Sequence, residues 1–312
     1  MVLIGGSANP KLAQSIAKIL DTKVYFPTSK FADGEICIKI PVNITNKFVF
    51  IVQPTCKPVN DNIMELLLMC DAAKQGVAKE VVAVIPYYGY CMQDRKDQPR
   101  VPISSALVAS MLKSAGATRI ITLDIHSEQQ QGFFNGPWDN LYASYAMIPA
   151  LQKVAGNNTV IVSPDKGGVP RAKAYARLLE TNDVAVVFKE RDTKTKNQSK
   201  TLFLVGEVKN KTAIIVDDMI DTAGTMVNAS SMLKKEGANK IIICATHGLF
   251  SGNALTNIAN PAIHSIYCTD TLPLEENILG NKKIRVVSIA PLLAEAIEKT
   301  FKGESLGKDL IL

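Results

Sequence analysis

The 312-residue sequence lacks a long apolar run. Its longest apolar stretch, "VVAVIPYYGYCM", is interrupted by Pro86 and Gly89 and is too short to cross a bilayer. No basic segment precedes the first apolar residues, so the sequence does not predict a signal peptide. The absence of both features predicts a cytoplasmic protein with no membrane partner.

Paired cysteines and dense basic blocks are missing as well. The six cysteines include no C-x-x-C pair and mostly stand in apolar runs, which is typical of reduced, buried thiols rather than of disulfides or zinc ligands. The net charge of +6 is modest and is compatible with small anionic ligands. No Lys/Arg block with interleaved aromatic residues is present, so we expect no nucleic-acid partner.

Short apolar runs of strand length alternate with helical patterns along the chain. Strands are predicted at 2–5, 48–52, 81–85, 119–124, 159–163, 184–188, 212–217, 240–244, 264–267 and 284–288. Helices are predicted near 9–20, 61–76, 103–115, 168–180, 224–236 and 290–301. The alternation predicts an α/β fold of two similar domains, each a mostly parallel sheet flanked by helices. The domains are expected at 1–145 and 146–312, and the final helix is a candidate to pack back across that boundary.

Two stretches resemble each other 121 residues apart. "SMLKSAGATRIITLDIH" (110–126) and "SMLKKEGANKIIICATH" (231–247) share nine of seventeen residues. Each predicts a helix that stops at a glycine and a following strand that ends near a histidine. We interpret them as copies of one duplicated unit, with chance similarity as the alternative.

The stretch "IIVDDMIDTAGT" (214–225) leads from apolar residues into three aspartates and a turn of small residues. In open parallel sheets, ligands bind beyond the carboxyl ends of strands, where Asp217 and Asp218 are predicted to lie. Adjacent carboxylates accept hydrogen bonds from a vicinal diol, and backbone N–H groups before a helix bind phosphate. The stretch therefore predicts a sugar-phosphate site; a capped helix with solvated acids is the alternative. The assigned residues are Asp217, Asp218, Asp221, Thr222, Ala223, Gly224 and Thr225.

This stretch resembles the phosphoribosyl-binding loop of the phosphoribosyltransferase fold. From "GGSANPKLA" (5–13) to "PLLAEAI" (291–297), the whole chain resembles the ribose-phosphate pyrophosphokinases. The resemblance implies transfer of the diphosphoryl group of ATP to the anomeric hydroxyl of ribose 5-phosphate, with release of AMP. Two alternatives stay open: a phosphoribosyltransferase, and a catalytically silent paralogue that regulates an active synthetase.

The sequence contains no Walker A pattern, so ATP needs another site. The segment "KFADGEICIKI" (30–40) resembles the adenine hairpin of this family, which reaches the base in a neighbouring subunit's site. The resemblance assigns Phe31, Asp33 and Glu35 to ATP binding. Without the resemblance, the segment is an ordinary β-turn that opens an alternating strand.

A second ATP segment departs from the family pattern. "GYCMQDRKD" (89–97) keeps Gln93 and Asp97, which the resemblance assigns to ATP binding. Cys91 and Met92 stand where the family usually has alanine and arginine. The resemblance places the missing arginine at the ATP phosphates, so we expect weaker ATP affinity or slower turnover.

The resemblance also implies a metal site and a catalytic flap. His126 of "LDIHSEQQQGFF" and Asp165 of "SPDKGGVPR" are assigned to the magnesium–ATP site, with His126 counted among the catalytic and ATP-binding residues. A lone histidine is more often structural, and magnesium prefers oxygen ligands, so this metal role for His126 depends on the resemblance alone. In "FKERDTKTKNQSKT" (188–201), Lys189 and Arg191 are assigned to neutralising the transferred phosphates; a solvated hairpin is the alternative.

Assembly and regulation are implied by the resemblance too. Relatives of this length often form hexamers from dimers, so a homo-oligomer is expected. Those relatives are activated by phosphate at a site that carries an arginine in the loop matching "PVNITNKF" (41–48). This chain has Thr45 in place of the arginine and Gly307 where a serine is common. Weak phosphate regulation is the expectation.

Overall fold

A computed structural model describes residues 1–156, 158–191 and 200–307, without the side chains of 189–191 and 200–202. These residues form fifteen strands and nine α-helices. The strands are β1 (Val2–Gly5), β2 (Val24–Tyr25), β3 (Thr28–Lys30), β4 (Ile36–Ile38), β5 (Phe48–Val52), β6 (Glu80–Ile85), β7 (Arg119–Leu123), β8 (Trp138–Leu141), β9 (Thr159–Ser163), β10 (Val184–Arg191), β11 (Lys200–Val205), β12 (Thr212–Ile220), β13 (Lys240–Gly248), β14 (Ser265–Thr269) and β15 (Ile284–Val287). The helices are α1 (Pro10–Ile19), α2 (Val59–Gln75), α3 (Ser104–Ser114), α4 (Ser144–Gln152), α5 (Val169–Leu178), α6 (Gly224–Lys235), α7 (Ala254–Ile258), α8 (Glu276–Leu279) and α9 (Ala290–Lys302).

The chain divides into two compact units. Unit 1 comprises Met1–Ala143, Thr271–Pro273 and Ser288–Leu312, and unit 2 comprises Ser144–Asp270 and Leu274–Val287. The last helix, α9, belongs to unit 1, where it packs against α1. Among the described helices, none is long and apolar enough to cross a bilayer.

Each unit contains one main sheet. The strand order is β2-β1-β5-β6-β7-β8 in unit 1 and β11-β10-β9-β12-β13-β14-β15 in unit 2. Every neighbouring pair is parallel except the antiparallel pair β10–β11. Counted along the chain, the six parallel strands of each sheet follow the same order, 2-1-3-4-5-6. The two units therefore share one topology. In each sheet the strand order changes direction between the first and third strands along the chain, which are β1 and β5 in unit 1 and β9 and β12 in unit 2.

Continuous β-branched runs explain why these strands are central. β6 and β13 carry "VVAVI" and "III", and these residues are buried. Strands covered by helices on both faces need apolar side chains at successive positions, rather than the alternation of a sheet with one wet face. The apolar runs therefore located these strands in the sequence.

The duplicated stretches do not occupy equivalent positions. β7 is the fifth parallel strand of its sheet, whereas β13 is the fourth of its own, so the topology equates β13 with β6. The interpretation of 110–126 and 231–247 as copies of one unit is therefore wrong by one helix–strand step. A shared helix ending explains the likeness. The Ala117 amide donates to the Leu112 carbonyl at 3.0 Å, and the Ala238 amide donates to the Leu233 carbonyl at 2.9 Å. The same closure recurs at Ala78, so it is a common turn of this fold.

Several short elements have no counterpart in the sequence-based prediction. The clearest is α4, which contains Pro149 in its interior, a residue that normally argues against a helix. β8 has the sequence "WDNL", in which two polar residues hide a mostly buried strand. In both cases tertiary packing outweighs the local signal.

Candidate active site

The two adjacent aspartates lie near the carboxyl end of a long strand. β12 continues to Ile220 rather than ending at 217, because its pairing with β13 extends through Met219 opposite His247 and Ile220 opposite Gly248. Asp217 pairs in register with Ala245. The candidate site therefore lies at the carboxyl end of β12, beside the point between β9 and β12 where the strand order of the unit 2 sheet changes direction.

The two carboxyl groups are held close together in a partly buried setting. The Asp218 amide donates to Asp217 Oδ1 at 2.9 Å, and the Met219 amide donates to Asp218 Oδ1 at 2.9 Å. Burial, followed by repulsion from the Asp218 carboxylate, raises the pKa of Asp217 well above its usual value, while Arg171 opposes the shift. Two crowded carboxylates gain most from a ligand that donates two hydrogen bonds, as a vicinal diol does.

The turn after β12 is fixed through its carbonyl groups. The Ser251 amide donates to the Asp221 carbonyl at 3.0 Å, and Asn257 Nδ2 donates to the Thr222 carbonyl at 2.8 Å. Ala223 has a φ of +63°, a left-handed conformation that costs a residue with a side chain about 1–2 kcal/mol. Ala223 is also the N-cap of α6, and its methyl side chain makes no capping hydrogen bond. A strained helix start whose N-cap residue has no polar side chain suits an anion.

Gly224 leaves open space at the helix start. A Cβ atom built there has Thr222 Oγ1, 3.9 Å away, as its nearest neighbour. Gly224 therefore has no packing reason to lack a side chain, which fits a position where a ligand approaches the backbone.

Gly224→Ala should separate stability from binding. We expect the free energy of unfolding to stay level or rise by up to about 1 kcal/mol, because alanine favours a helix over glycine. The same methyl group should raise the Michaelis constant for a sugar phosphate by about tenfold or more, since one lost charge-assisted contact has that size. Asn228→Ala, at an exposed position of α6, is the matched control. Equal effects of both variants on the Michaelis constant would contradict the assignment of this turn.

Two neighbouring loops of unit 2 reach the same sheet edge. Asp165 follows β9 and is exposed; its Oδ1 accepts the Gly168 amide at 3.0 Å at the start of α5. β10 pairs with β9 on the other side and carries Lys189 and Arg191 near its carboxyl end. The side chains of Lys189 and Arg191 lie outside the described residues, so their predicted catalytic roles stay predictions.

Arg171 is a site residue that the sequence analysis did not single out. Its Nη1 lies 3.6 Å from Asp217 Oδ1, and both side chains are about four-fifths buried, at 20% and 19% exposure. The guanidinium group therefore places positive charge beside the carboxylate pair. Arg171 is the third residue of α5, and apart from its place in "SPDKGGVPR" nothing in the sequence indicates that it contacts Asp217.

No group of three metal-ligating side chains exists among the described residues. Magnesium does not require one, because it keeps several waters and is usually held by one or two carboxylates together with substrate phosphates. The exposed carboxylate of Asp165 fits that role. His126 is exposed at the end of β7 in unit 1, but its imidazole is not a ligand that magnesium prefers.

The turn that carries His126 is held by two buried side chains. Asn140 Oδ1 accepts the Ile125 amide at 3.0 Å, and Asp124 Oδ2 accepts the Ala143 amide at 3.0 Å. Asp124 itself has a φ of +36°. A non-glycine residue in this conformation needs such support, which indicates that the exposure of His126 is built into the fold.

The predicted ATP hairpin exists as an antiparallel pair, β3–β4. Its tip, residues 31–35, is exposed, and Phe31 has 57% of its surface in solvent. The Phe31 amide donates to the Glu35 carbonyl at 2.8 Å, and the Glu35 amide donates to Asp33 Oδ1 at 3.0 Å. A single chain therefore presents an exposed aromatic ring and two exposed acidic residues on a hydrogen-bonded turn.

The second ATP segment combines exposure with a structural role. Gln93 Oε1 accepts the Ser104 hydroxyl at 2.6 Å, and the Gln93 carbonyl accepts the Ser105 amide at 3.2 Å, so Gln93 supports the start of α3. Asp97 is exposed. Met92, in place of the expected arginine, is 52% exposed.

In this sheet a carboxylate pair stands where the strand order changes direction, and a turn of small residues leads from it into a helix. This arrangement is typical of the phosphoribosyl-binding class of α/β proteins. Comparisons with known proteins narrow this class. The family models for the N-terminal domain of ribose phosphate pyrophosphokinase and for the phosphoribosyl synthetase-associated domain match residues 1–116 and 192–310. The chain belongs to the ribose-phosphate pyrophosphokinase family.

Individual relatives agree over nearly the whole chain. The ribose-phosphate pyrophosphokinase of Wolinella succinogenes is 46% identical over 302 residues, covering 96% of both chains. That of Haemophilus ducreyi is 44% identical, covering 97% of this chain and 96% of the relative. The crystal structure of phosphoribosylpyrophosphate synthetase from Mycobacterium smegmatis matches with a TM-score of 0.88 at 39% identity, covering 97% and 99% of the two chains.

Proposed function

We propose that this protein makes phosphoribosyl pyrophosphate from ATP and ribose 5-phosphate. The anomeric hydroxyl oxygen attacks the β-phosphorus of ATP, the bond from that phosphorus to the α,β-bridging oxygen breaks, and AMP leaves. The hydroxyl proton passes to solvent or to a nearby base. The observation that carries the proposal is the Asp217–Asp218 pair followed by the strained turn at the start of α6.

The sugar phosphate is bound by opposite ends of one short segment. The 2- and 3-hydroxyls donate to the carboxylates of Asp217 and Asp218, whose crowding favours a double donor. The 5-phosphate is bound by the turn 221–225, where backbone N–H groups and the dipole of α6 complement its charge. The fixed carbonyls of Asp221 and Thr222 keep this turn in place before the ligand arrives.

Charge neutralisation comes from basic side chains and a divalent metal. Transfer of a phosphoryl-type group depends on positioning and positive charge more than on covalent catalysis, which suits Lys189 and Arg191 near the end of β10. Magnesium, when bound with ATP, polarises the phosphates and offsets their charge. Asp165 would hold it, and His126 is assigned to the same metal–ATP group on resemblance alone.

ATP recognition uses the hairpin tip with Phe31, Asp33 and Glu35, together with Gln93 and Asp97. The outward exposure of the tip favours delivery of the ring to the adenine of a neighbouring subunit, so we propose a homo-oligomer built from dimers, with a hexamer as the expected assembly. None of the six cysteines forms a disulfide, which suits a cytoplasmic enzyme.

Release of AMP tests the proposal against its alternatives. The purified protein should form AMP from ATP only when ribose 5-phosphate and magnesium are both present, and added nucleobases should change nothing. A phosphoribosyltransferase would instead need a nucleobase and would consume phosphoribosyl pyrophosphate. A silent paralogue would release no AMP on its own.

Regulation by phosphate should be weak. The Thr45 hydroxyl donates to the Gly76 carbonyl at 3.4 Å, so the residue that replaces the expected arginine turns its single donor to the backbone. The cavity beside this loop, about 340 Å³, is lined by apolar and uncharged residues: Ile40, Val42, Asn43, Ile44, Thr45, Ala72 and Gly76. An arginine binds an anion with two charge-assisted hydrogen bonds, and these residues offer no such contact.

We therefore expect substantial activity without added phosphate and ADP inhibition that is competitive with ATP. A phosphate titration at fixed substrates, with ADP inhibition measured at several ATP concentrations, checks both points. A steep phosphate requirement, or ADP inhibition that saturating ATP fails to relieve, would mean that another group, such as Lys47 in the same loop, has restored the regulatory site.

A further inference from the structure

A buried carboxylate in unit 1 has no role in the reaction as described above. Glu65, on α2, is only 2% exposed, yet four donors meet its two oxygens. The Ser7 amide and hydroxyl lie at 2.8 and 2.5 Å, the Thr28 hydroxyl at 2.5 Å, and Gln53 Nε2 at 2.9 Å. Ser7 follows β1 and Gln53 follows β5, so Glu65 joins the ends of the two neighbouring strands between which the strand order of this sheet changes direction. A buried charge is tolerated only with such complete hydrogen bonding.

Thr28 is the donor that belongs to the ATP hairpin. The hairpin has only two strands of three residues, and a two-stranded hairpin is marginally stable by itself. Beneath it lies a cavity of about 180 Å³, lined by Lys30 and Ile36 from the hairpin and by the first turns of α2. Lys30 and Ile36 form the strand pair next to the tip, so this end of the hairpin is not fully packed against the rest of unit 1.

One other polar contact joins the described hairpin strands to α2. Lys30 Nζ lies 3.7 Å from Asp61 Oδ2, but both side chains are 57% exposed. Exposed ion pairs contribute little to holding a segment in place. The hydrogen bond from Thr28 to Glu65 is shorter and partly buried, so it is the stronger link.

We propose that Glu65 is a positioning residue for ATP: through Thr28 it sets the direction in which the hairpin presents Phe31. Phe31 lies three residues beyond Thr28, about 10 Å along the strand, so a small tilt at the base displaces the ring by a larger distance. This inference rests on the proposed role of the hairpin in ATP binding.

Thr28→Val removes the hydroxyl that donates to Glu65 and keeps the shape of the side chain. Ser7→Ala is the matched control, because it removes a hydroxyl from the same carboxylate without touching the hairpin, and Thr28→Ser should restore the wild-type behaviour. Cys37, on β4 opposite Ser29, reports on the hairpin because it is the one cysteine of the six that is not buried. Burial raises the pKa of Cys56 to about 11 and of Cys70 and Cys268 to about 12, which keeps these thiols unreactive at neutral pH.

We expect Thr28→Val to speed maleimide labelling of Cys37 and to raise the Michaelis constant for ATP, each by about fivefold, the population change that loss of one ordinary hydrogen bond produces. The Michaelis constant for ribose 5-phosphate should not change. Ser7→Ala should leave both quantities within about twofold of wild type. Equal effects of Thr28→Val and Ser7→Ala, or no effect of Thr28→Val on labelling, would overturn the inference.

Phe31→Ala separates this inference from the proposed function. If Phe31→Ala raises the Michaelis constant for ATP and Thr28→Val does not, the hairpin binds ATP but Glu65 does not position it. If Phe31→Ala has no effect on ATP while AMP release is normal, the hairpin assignment itself is wrong and the role of Glu65 is overturned with it.

Discussion

Lys189→Ala and Arg191→Ala should each lower the turnover number by about 10²–10³-fold, the loss seen when one group that stabilises transition-state charge is removed. The Michaelis constants for ATP and ribose 5-phosphate should change little, because charge that matters mainly in the transition state affects the rate constant. Both residues stand on β10, next to β9 and therefore next to the loop of Asp165.

Lys209→Ala is the control for this pair. Lys209 is an exposed lysine of the same unit, but it precedes β12 and so lies at the opposite, amino-terminal edge of the sheet. Its removal changes the net charge equally and should leave turnover unaltered. If all three variants lose activity alike, general electrostatic attraction explains the result. If Lys189→Ala and Arg191→Ala lose only ATP affinity, the flap recruits substrate without assisting transfer.

Asp217→Asn and Asp218→Asn should raise the Michaelis constant for ribose 5-phosphate by about 10–100-fold, the range expected when a hydrogen bond to a charged group is lost. The amide keeps one acceptor oxygen, so the backbone contacts of Asp218 and Met219 can survive. It also adds an N–H donor that faces the sugar hydroxyls. Turnover at saturating sugar should fall much less. Unchanged sugar affinity in both variants would contradict the assignment.

The same Asp217→Asn variant has a stability signature that a damaged fold would not give. Burial and Asp218 raise the pKa of Asp217 in the folded state, so the fold binds this proton more tightly than the unfolded chain does. Stability is therefore lost as the pH rises from the unfolded pKa through the raised folded pKa. The variant lacks that loss, and its free energy of unfolding should exceed that of wild type by a margin that grows over this pH window. Urea titrations at several pH values measure it.

The sequence predicted the parts of the fold that depend on continuous apolar strands. The expected α/β class of two similar parallel-sheet domains is confirmed, because runs such as those of β6 and β13 leave no other way to bury their residues. The family assignment is confirmed as well, by the family model that matches residues 1–116 and by a relative 46% identical over 302 residues. The likeness between 110–126 and 231–247 misled, because a common helix ending gives similar sequences at positions that are not equivalent.

The candidate site was predictable where local chemistry decides it and hidden where tertiary contacts do. The aspartates and small residues of 217–225 are adjacent in sequence, so their convergence needs no long-range information. Arg171 reaches Asp217 only because α5 packs beside β12, and Glu65 joins three segments that are distant in the chain. Nothing in the sequence predicts that Ala223 adopts a left-handed conformation, because alanine normally avoids it.

Phosphorus-31 NMR of the complete reaction tests the central claim most directly. The purified protein, incubated with ATP, ribose 5-phosphate and magnesium, should produce AMP and a sugar that carries a diphosphate on its anomeric carbon, in equal amounts. Equal amounts would show that the β- and γ-phosphates move together to the sugar. Formation of ADP with a singly phosphorylated anomeric carbon, or release of free diphosphate without a new sugar signal, would contradict the account.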